Sequence, residues 1–504
     1  MPAISLSMSS ITLSEAQGVI RNPFRDELAR SPDFEEKFDY FTLIYDLFWS
    51  ADGTEIIGIG PPFHFSEAGD QLPQFIALPS GETCVARHDR LPGRPLNGRS
   101  RFRVVAPSGT SGLEVIFAGQ HWVLPVQPNL SHLARGRRGL VALTRNNSST
   151  WVVDWINFHR RQYGFDVFLL FDNASSDPTC DALARDIDAH CPSALSVVVK
   201  APLPYGPTGQ RAIGGPRDSN FLQAALYEIA LQRFFRIAAV LANFDIDELL
   251  VERTPNAFED LIGSPNFESS LLPRFNVYGA PPTGGRPKRH RDDDQISFKQ
   301  PAMPKWVVNP AAVRKNDQLH VHTVIGHRKR PLDREALYLA HFLALARDQG
   351  LRWNSEARGE PPPDIAHIKQ NRALRRLLDR SFADAEVQPA WSPLMLDQPD
   401  LLKRRAAIAH QAGQHEAALA LLDRSAEVAP CHYPSLVLRH AVLLALGRET
   451  EAVLLLPHLD RTSIPRFYEV MASYHTSRDE FEKAAEWRAR GTLIIPATSR
   501  RAVP

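Results

Sequence analysis

The sequence predicts a multidomain chain in three parts: a β-rich N-terminal domain over residues 1–135, an α/β central domain over 139–350, and an all-α helical-repeat region over 400–496. Three observations predict it. Short apolar runs punctuated by Pro and Gly fill the first part, and uninterrupted apolar runs alternate with amphipathic stretches in the second. A 34-residue period, set by Gly413 and Gly447, marks the third. A chain of 504 residues is also too long for one ordinary hydrophobic core.

In the N-terminal part, Phe41–Tyr45, Glu55–Ile59, Arg101–Val105 and Leu113–Phe117 are short β-type segments, the pattern of a sandwich or barrel. From Gly139 the texture changes. Gly139–Arg145, Phe165–Phe171 and Leu195–Val199 are apolar throughout, and Ile237–Leu241 leads into a fourth such strand. Between them, Thr150–Tyr163 places Val152, Trp155, Ile156, His159 and Tyr163 on one helical face. Asp177–His190 and Ser219–Phe235 supply two more helices. Apolar strands alternating with helices imply a mostly parallel sheet covered on both faces. Ligands bind such sheets at the carboxyl ends of the strands. Two of those ends carry acids: Phe171-Asp172-Asn173 and Phe244-Asp245-Ile246-Asp247-Glu248. Residues 279–304, rich in Pro, Gly, Lys, Arg and Asp, read as a loop or insertion.

Beyond Leu401, Ala418 and Ala452 repeat the offset of Gly413 and Gly447, Pro430 closes one unit, and Phe481–Ala484 with Pro496 looks like a degenerate third. This helix–turn–helix period resembles tetratricopeptide repeats, which bind protein partners along stacked helices.

Bulk properties narrow the function. Hydrophobic residues make up 43% and charged residues 23%, the balance of a folded protein, and 58 Lys plus Arg meet 57 Asp plus Glu. That balance supplies no electrostatic reason to expect nucleic acid or an anionic membrane. Four scattered cysteines make neither a disulfide framework nor a zinc site. The start lacks a basic and then apolar leader, and no run approaches the ~20 apolar residues of a spanning helix. The expectation is a cytoplasmic protein without a transmembrane segment, at most peripheral to a membrane.

An Asp-x-Asp at the end of a buried strand suits a hard divalent cation, Mn²⁺ or Mg²⁺. Asp245 and Asp247 lie two apart and share a direction while the chain stays extended. In sequence order come Asp154-Trp155-Ile156-Asn157-Phe158-His159, Asp172-Asn173-Ala174-Ser175-Ser176-Asp177, Gln210, and Asp245-Ile246-Asp247-Glu248-Leu249-Leu250. This series resembles the glycosyltransferase family 2-like group, in the branch once called domain of unknown function 23. Lys305-Trp306-Val307-Val308-Asn309-Pro310 followed by His320-Val321-His322 extends the likeness, which covers about 140–345. There are departures. Asn147-Ser148 stands where the group has Asn-Glu, Asp154 replaces a Glu, and Leu249 replaces a Phe.

The resemblance implies a GT-A fold, a nucleoside-diphosphate sugar donor, a glycan or other acceptor, and transfer with inversion, with surface polysaccharide assembly as its setting. It implies Asn147, Asp172, Asn173, Gln210 and Asp245 at the nucleotide sugar, with Asp245 and Asp247 catalytic. Asp247 is then on the metal, and His322, preferred to His320, completes the metal shell. Asp177 reads as a helix cap, His159 as a hydrogen-bonded core residue, and His341 as packing or as a His-aromatic pair of the group. Asp292, Asp293, Asp294 and Glu335 are positional candidates for the base that an inverting transfer needs. The run Lys288–Arg291 has the charge to hold a diphosphate or an acidic acceptor, but reads first as a solvated loop compensated by the acids that follow it. Two rival readings stand beside this one. A haloacid-dehalogenase-like phosphatase also uses Asp-x-Asp, but carries Thr or Val where Leu249 stands and usually places the motif on its first strand. A non-catalytic scaffold acting through the helical repeats is the alternative that Ser148 keeps open.

Overall fold

The structure is a computed structural model. It describes residues 3–15, 18–23, 27, 30, 34–65, 71–90, 99–207, 221–278, 289–327, 329–330, 336–343, 345, 369–382, 402–403, 406–407, 409–410, 413–428, 433–452, 455, 472 and 485. Its longer strands, in chain order, are β1 (Ile4–Ser7), β2 (Asp46–Trp49), β3 (Ile56–Gly60), β4 (Gln74–Leu78), β5 (Thr83–Arg90), β6 (Ser100–Val105), β7 (Gly112–Phe117) and β8 (Gln120–Pro125). They continue with β9 (Arg138–Thr144), β10 (Val167–Asp172), β11 (Leu195–Lys200), β12 (Val240–Asn243), β13 (Glu248–Glu252), β14 (Ser269–Tyr278), β15 (Gln295–Val308) and β16 (Leu337–Phe342). The longer helices are α1 (Ser149–Tyr163), α2 (Cys180–His190), α3 (Phe221–Ile229, continued by a wider turn over Ala230–Phe235), α4 (Ala257–Ile262), α5 (Arg372–Phe382), α6 (His415–Val428) and α7 (Tyr433–Ala445).

The central sheet runs β1-β11-β10-β9-β12-β15-β14-β16-β13, with the short strands Lys329–Arg330 beside β14 and Lys369–Gln370 beside β15. From β1 to β12 all pairings are parallel, and β15 then joins β12 antiparallel. Every residue of β10 is buried because both faces of the sheet are covered. Alternate residues serve different cores: Phe168 and Leu170 pack with α1 and α2, whereas Val167, Leu169 and Phe171 pack with α3. The apolar runs of the sequence are thus double-sided strands.

Helix α2 starts at Cys180 and is capped by Thr179, whose side chain accepts from Ala182 N, so the cap expected at Asp177 sits two residues later. Pro178 lies between the two, and Asp177 belongs to the turn that precedes the helix.

Residues 295–308, assigned largely to a loop from composition, form the longest strand. Pro301 and Pro304 are tolerated because β15 pairs along one side with β14. On its other side, among the described residues, it is bonded only at its ends, to Lys369–Gln370 and to β12.

A seven-stranded antiparallel sheet, in the order β8-β7-β4-β5-β6-β3-β2, forms from the N-terminal β-rich region. It shares a core with α3: Phe48, Ile57 and Ile59 join one cluster with Leu222, Leu226 and Phe235. Two buried ion pairs, Arg233 with Asp46 (2.8 Å) and Arg101 with Glu228, cross the same boundary. Met1–Val387 accordingly forms one compact unit.

Gln388–Pro504 is a second unit. Here the 34-residue period appears bond for bond. Gly413 N, Gln414 N and Ala418 N donate to the carbonyls of His410, Ala409 and Gln414, and Gly447 N, Arg448 N and Ala452 N donate to those of Leu444, Leu443 and Arg448. Both glycines adopt positive φ, +75° and +71°, which a side chain would strain. Ala418 and Ala452 are both fully buried in the helix-packing cluster. The third unit expected near Phe481–Pro496 lies outside the described residues, apart from Ala485. Among the described residues, no helix is long and apolar enough to cross a membrane. Cys84, Cys180 and Cys191 are buried and free.

Candidate functional site

Strand order in the central sheet reverses at β9: the chain continues to β10 and β11 on one side and to β12 on the other. In open α/β sheets ligands bind outside the carboxyl ends of the strands at such a reversal, which here means the ends of β9 and β12. Leaving β12, the chain passes Phe244 and Asp245, turns through Ile246 and Asp247, and enters β13 at Glu248.

The Asp245-Ile246-Asp247 turn is held from beneath. Glu248 is fully buried; one of its oxygens accepts from Asp245 N (2.9 Å) and the other pairs with Arg274 of β14. His290 donates from Nε2 to the carbonyl of Ile246 (2.8 Å). Its neighbour Arg289 forms a two-pronged pair with Asp154 of α1, one contact of which is 2.8 Å. Two further groups of α1 reach β13: His159 Nε2 accepts from Leu250 N (3.3 Å), and Tyr163 Oη donates to Leu250 O (2.7 Å). β13 is the edge of the sheet, so these side chains satisfy backbone groups with no strand beside them. His159 donates from Nδ1 to Trp155 O (2.9 Å), and burial lowers its pKa to about 3, so the ring is neutral. The Asp-Trp-x-x-x-His motif is therefore a support for the Asp-x-Asp segment. His159 is the core residue that the sequence suggested.

Around the turn, acids and cations interleave. Lys305 is fully buried, and its Nζ lies 2.6 Å from Asp245 Oδ2, whose side chain remains 34% exposed. Arg274 stands 3.9 Å from the same oxygen. His341 of β16 places Nε2 3.3 Å from Asp247 Oδ2 while Nδ1 bonds Asn276 Oδ1 (2.9 Å). His341 is the cross-strand partner of Glu248, which explains why it arrives here. Burial alone pushes the Asp247 carboxyl up, but the His341 ring and its hydrogen bond, followed by Arg274 and Lys305, hold it down at about 2.

Among the described residues, the group able to hold a cation is Asp247, Glu248 and His341, whose ligand atoms lie within 4.8 Å of one another. The fit is chemically sensible. Cis ligands about 2.1 Å from a Mg²⁺-sized ion lie about 3 Å apart, close to the 3.3 Å between Asp247 and His341. These two side chains keep partial exposure, 21% and 14%. Both oxygens of Glu248 already have partners, which makes it a supporting carboxylate. His322, expected in the metal shell, is not in this group. Its Nδ1 bonds the carbonyl of Pro304 (3.0 Å) instead. The imidazole that reaches Asp247 comes from a sheet neighbour whose position no local spacing reveals.

Asp172 ends β10 directly opposite Thr144 of β9. Its Oδ2 accepts from Ser175 N (3.4 Å), and its buried Oδ1 has no partner among the described residues. Burial raises its pKa against the pull of Ser175, Arg145 and Lys200. Asn173 is buried, and its amide donates to the carbonyls of Ala201 and Leu203 (2.8 Å each), a staple between strand ends rather than a group facing outward. Asn147 donates to Thr144 Oγ1 (3.0 Å) and is partly exposed. Its neighbour Asn146, unmarked in the sequence reading, organises this edge: at φ +55° its Oδ1 accepts from Ser176 N (2.8 Å) and its N donates to Ser175 Oγ (2.8 Å). Gln210 and Glu335 lie outside the described residues. Two of the acids considered for the base are otherwise engaged: Asp292 accepts from Arg289 N (2.8 Å), and Asp294 binds Gln370 and Arg375 (2.9 Å each).

No protein-family model matches the chain, and no curated protein matches it by sequence. By structure, the chain is similar to MamA of MSR-1 at 21% identity and a TM-score of 0.17, over 24% of this chain and 64% of that one. It is also similar to the mannosyltransferase PcManGT from Pyrobaculum calidifontis, in complex with GDP-Man and Mn²⁺, at 15% identity and a TM-score of 0.25, over 71% of this chain and 86% of that one. A third likeness is to S. aureus TarS 1-349, at 12% identity and a TM-score of 0.21, over 71% of this chain and 90% of that one.

Proposed function

We propose that the chain is a glycosyltransferase that moves a sugar from a nucleoside-diphosphate sugar to a glycan or other hydroxyl acceptor, with inversion, assisted by Mn²⁺ or Mg²⁺ at Asp247 and His341. The observation that carries this reading is the interleaved cluster at the mouth of β12. Asp247 and His341 stand 3.3 Å apart beside two buried or nearly buried cations, Lys305 and Arg274. A cation bound there would neutralise the charge that grows on a departing diphosphate. Lys305 and Arg274 supply fixed positive charge for the same group, and a guanidinium is suited to grip phosphate through two N–H donors.

Four side chains orient the donor in this reading. Asp245 faces the ribose or the sugar hydroxyls, Asp172 Oδ1 accepts from an N–H of the base, and Asn147 and Gln210 complete the nucleotide contacts. The buried, unpartnered Asp172 Oδ1 supports its part, because a buried acceptor without a donor costs about 1–3 kcal/mol unless a ligand satisfies it. Asp154, His159, Arg289 and His290 touch no substrate. They hold the turn in position.

A scaffold reading is favoured by Ser148, which stands where the group has an acid. Thermal unfolding with Mn²⁺ and a panel of nucleotide sugars, together with assay of nucleoside-diphosphate release, separates the two. A donor-dependent, Mn²⁺-dependent rise in midpoint with release supports transfer. Absence of both with every donor would leave the scaffold reading, with a protein partner on the helical repeats.

A further inference from the structure

The hairpin formed by Gln318–Leu319 and Val324–Ile325 carries His320-Val321-His322-Thr323 at its tip, and its connections to the site are unusually direct. Asn243, two residues before Asp245, donates from Nδ2 to Val321 O (3.1 Å). Trp306 donates from Nε1 to His320 O (2.5 Å), and Pro304 O accepts from His322 Nδ1 (3.0 Å). Pro304 and Trp306 flank Lys305, whose Nζ sits on Asp245. Three bonds therefore fix the tip beside the first aspartate of the motif.

We infer that His322 Nε2 is the general base that takes the proton from the incoming hydroxyl. The inference rests on the glycosyl-transfer reading above. Because a carbonyl can only accept, the bond to Pro304 O requires the proton of the neutral ring to be on Nδ1, and Nε2 then carries the free lone pair. The ring is partly exposed. Burial, then the Lys305 charge, lowers its pKa to about 4, so the ring is neutral near pH 7.

Among the described residues, the carboxylates nearby are already committed. Asp245 holds Lys305, Asp247 faces His341, and both oxygens of Glu248 have partners. Asp292 caps Arg289, Asp294 holds Arg375, and Asp293 is fully buried.

The step balances without a further reactant. The hydroxyl proton passes to His322 Nε2 as the hydroxyl oxygen bonds the anomeric carbon. The bond from that carbon to the diphosphate oxygen breaks, and its electron pair leaves with the diphosphate. The imidazolium keeps its Nδ1–H on Pro304 O and later releases the new proton to water.

The test compares the full-length protein with His322→Gln and His322→Ala, using UDP- and GDP-hexoses, Mn²⁺, and water as the hydroxyl source. We expect diphosphate release to fall by roughly 100-fold or more in both variants, with the Mn²⁺-plus-nucleotide thermal shift unchanged. Added imidazole restores part of the rate in His322→Ala, and ¹⁵N spectra of the wild type show an unprotonated Nε2 at pH 7. Release within a few-fold of wild type in His322→Gln overturns the inference alone. So does a loss of the Mn²⁺ shift, which would make His322 a ligand. A wild-type protein that neither shifts nor releases diphosphate with any donor overturns the transfer reading, and this inference with it.

Discussion

Lys305, fully buried, places its ammonium 2.6 Å from the partly exposed carboxylate of Asp245. A buried lysine needs a carboxylate partner, since an unpaired charge there is strongly unfavourable. The pair also sets the charge balance of the site. In Lys305→Met the site loses one positive charge. Mn²⁺ should then bind more tightly, and a nucleoside diphosphate more weakly by about tenfold, or ~1.4 kcal/mol. Calorimetric titration of each ligand checks the opposed directions. Equal weakening of both would show that Lys305 acts only through the fold.

Asp247→Ala and His341→Gln should each remove most of the Mn²⁺-dependent rise in unfolding midpoint while the metal-free midpoint moves by no more than a few degrees. Both side chains are partly exposed and contribute little core volume. A Mn²⁺ response in Asp247→Ala equal to that of the wild type would place the cation elsewhere.

His159 carries a pH prediction. Its folded-state pKa is lowered to about 3 from an ordinary 6.5 by burial. Protonation therefore favours the unfolded chain: the stability contributed by the neutral ring is complete above about pH 6.5 and is lost as pH falls toward 3. The slope for one such proton is ~1.4 kcal/mol per pH unit. His159→Gln should flatten the decline of the urea midpoint between pH 6.5 and 4, at a cost of ~1–3 kcal/mol at pH 8 if Leu250 N loses its acceptor. An unchanged acid slope would contradict this assignment.

Arg289 ties Asp154 of α1 to the segment that carries His290 beneath Ile246. Arg289→Met leaves the buried Asp154 carboxylate unpaired, and the expected loss is ~3–5 kcal/mol. The double change with Asp154→Leu should recover part of that loss, because no charge is then stranded. Denaturant unfolding of the single and double variants reads the coupling, and simple additivity would argue against the pair.

At the base of the hairpin that bears His322, Asp317 pairs with His327 (3.0 Å) and accepts from Arg314 N (2.7 Å). Gly326 has φ +93°, and a Cβ there would lie 1.9 Å from Asp317 Oδ1. Gly326→Ala should cost ~1–3 kcal/mol through strain and displacement of Asp317, and should lower turnover more than donor affinity. Wild-type kinetics in this variant would show that the hairpin base does not position its tip.

Much of this molecule is legible from its one-dimensional pattern. Runs such as Phe168-Leu169-Leu170-Phe171 must be buried on both sides, and their alternation with amphipathic helices determines a covered parallel sheet with acids at its carboxyl edge. The 34-residue spacing determines the helical repeat, because the glycine conformation and the buried alanine recur at the same points of each unit. These are local properties: periodicity records which side of an element meets the core. Periodicity is silent about which strand lies beside which. The pairing of Glu248 with His341 brings together residues 93 positions apart, and the tie between Asp154 and Arg289 spans 135. Lys305 reaches Asp245 only because β15 is the antiparallel neighbour of β12. The acids, and the sheet edge on which they stand, are written in the order of residues along the chain. Tertiary structure decided which imidazole and which cations surround them, since charges that must leave water together choose partners by distance in space, not along the chain.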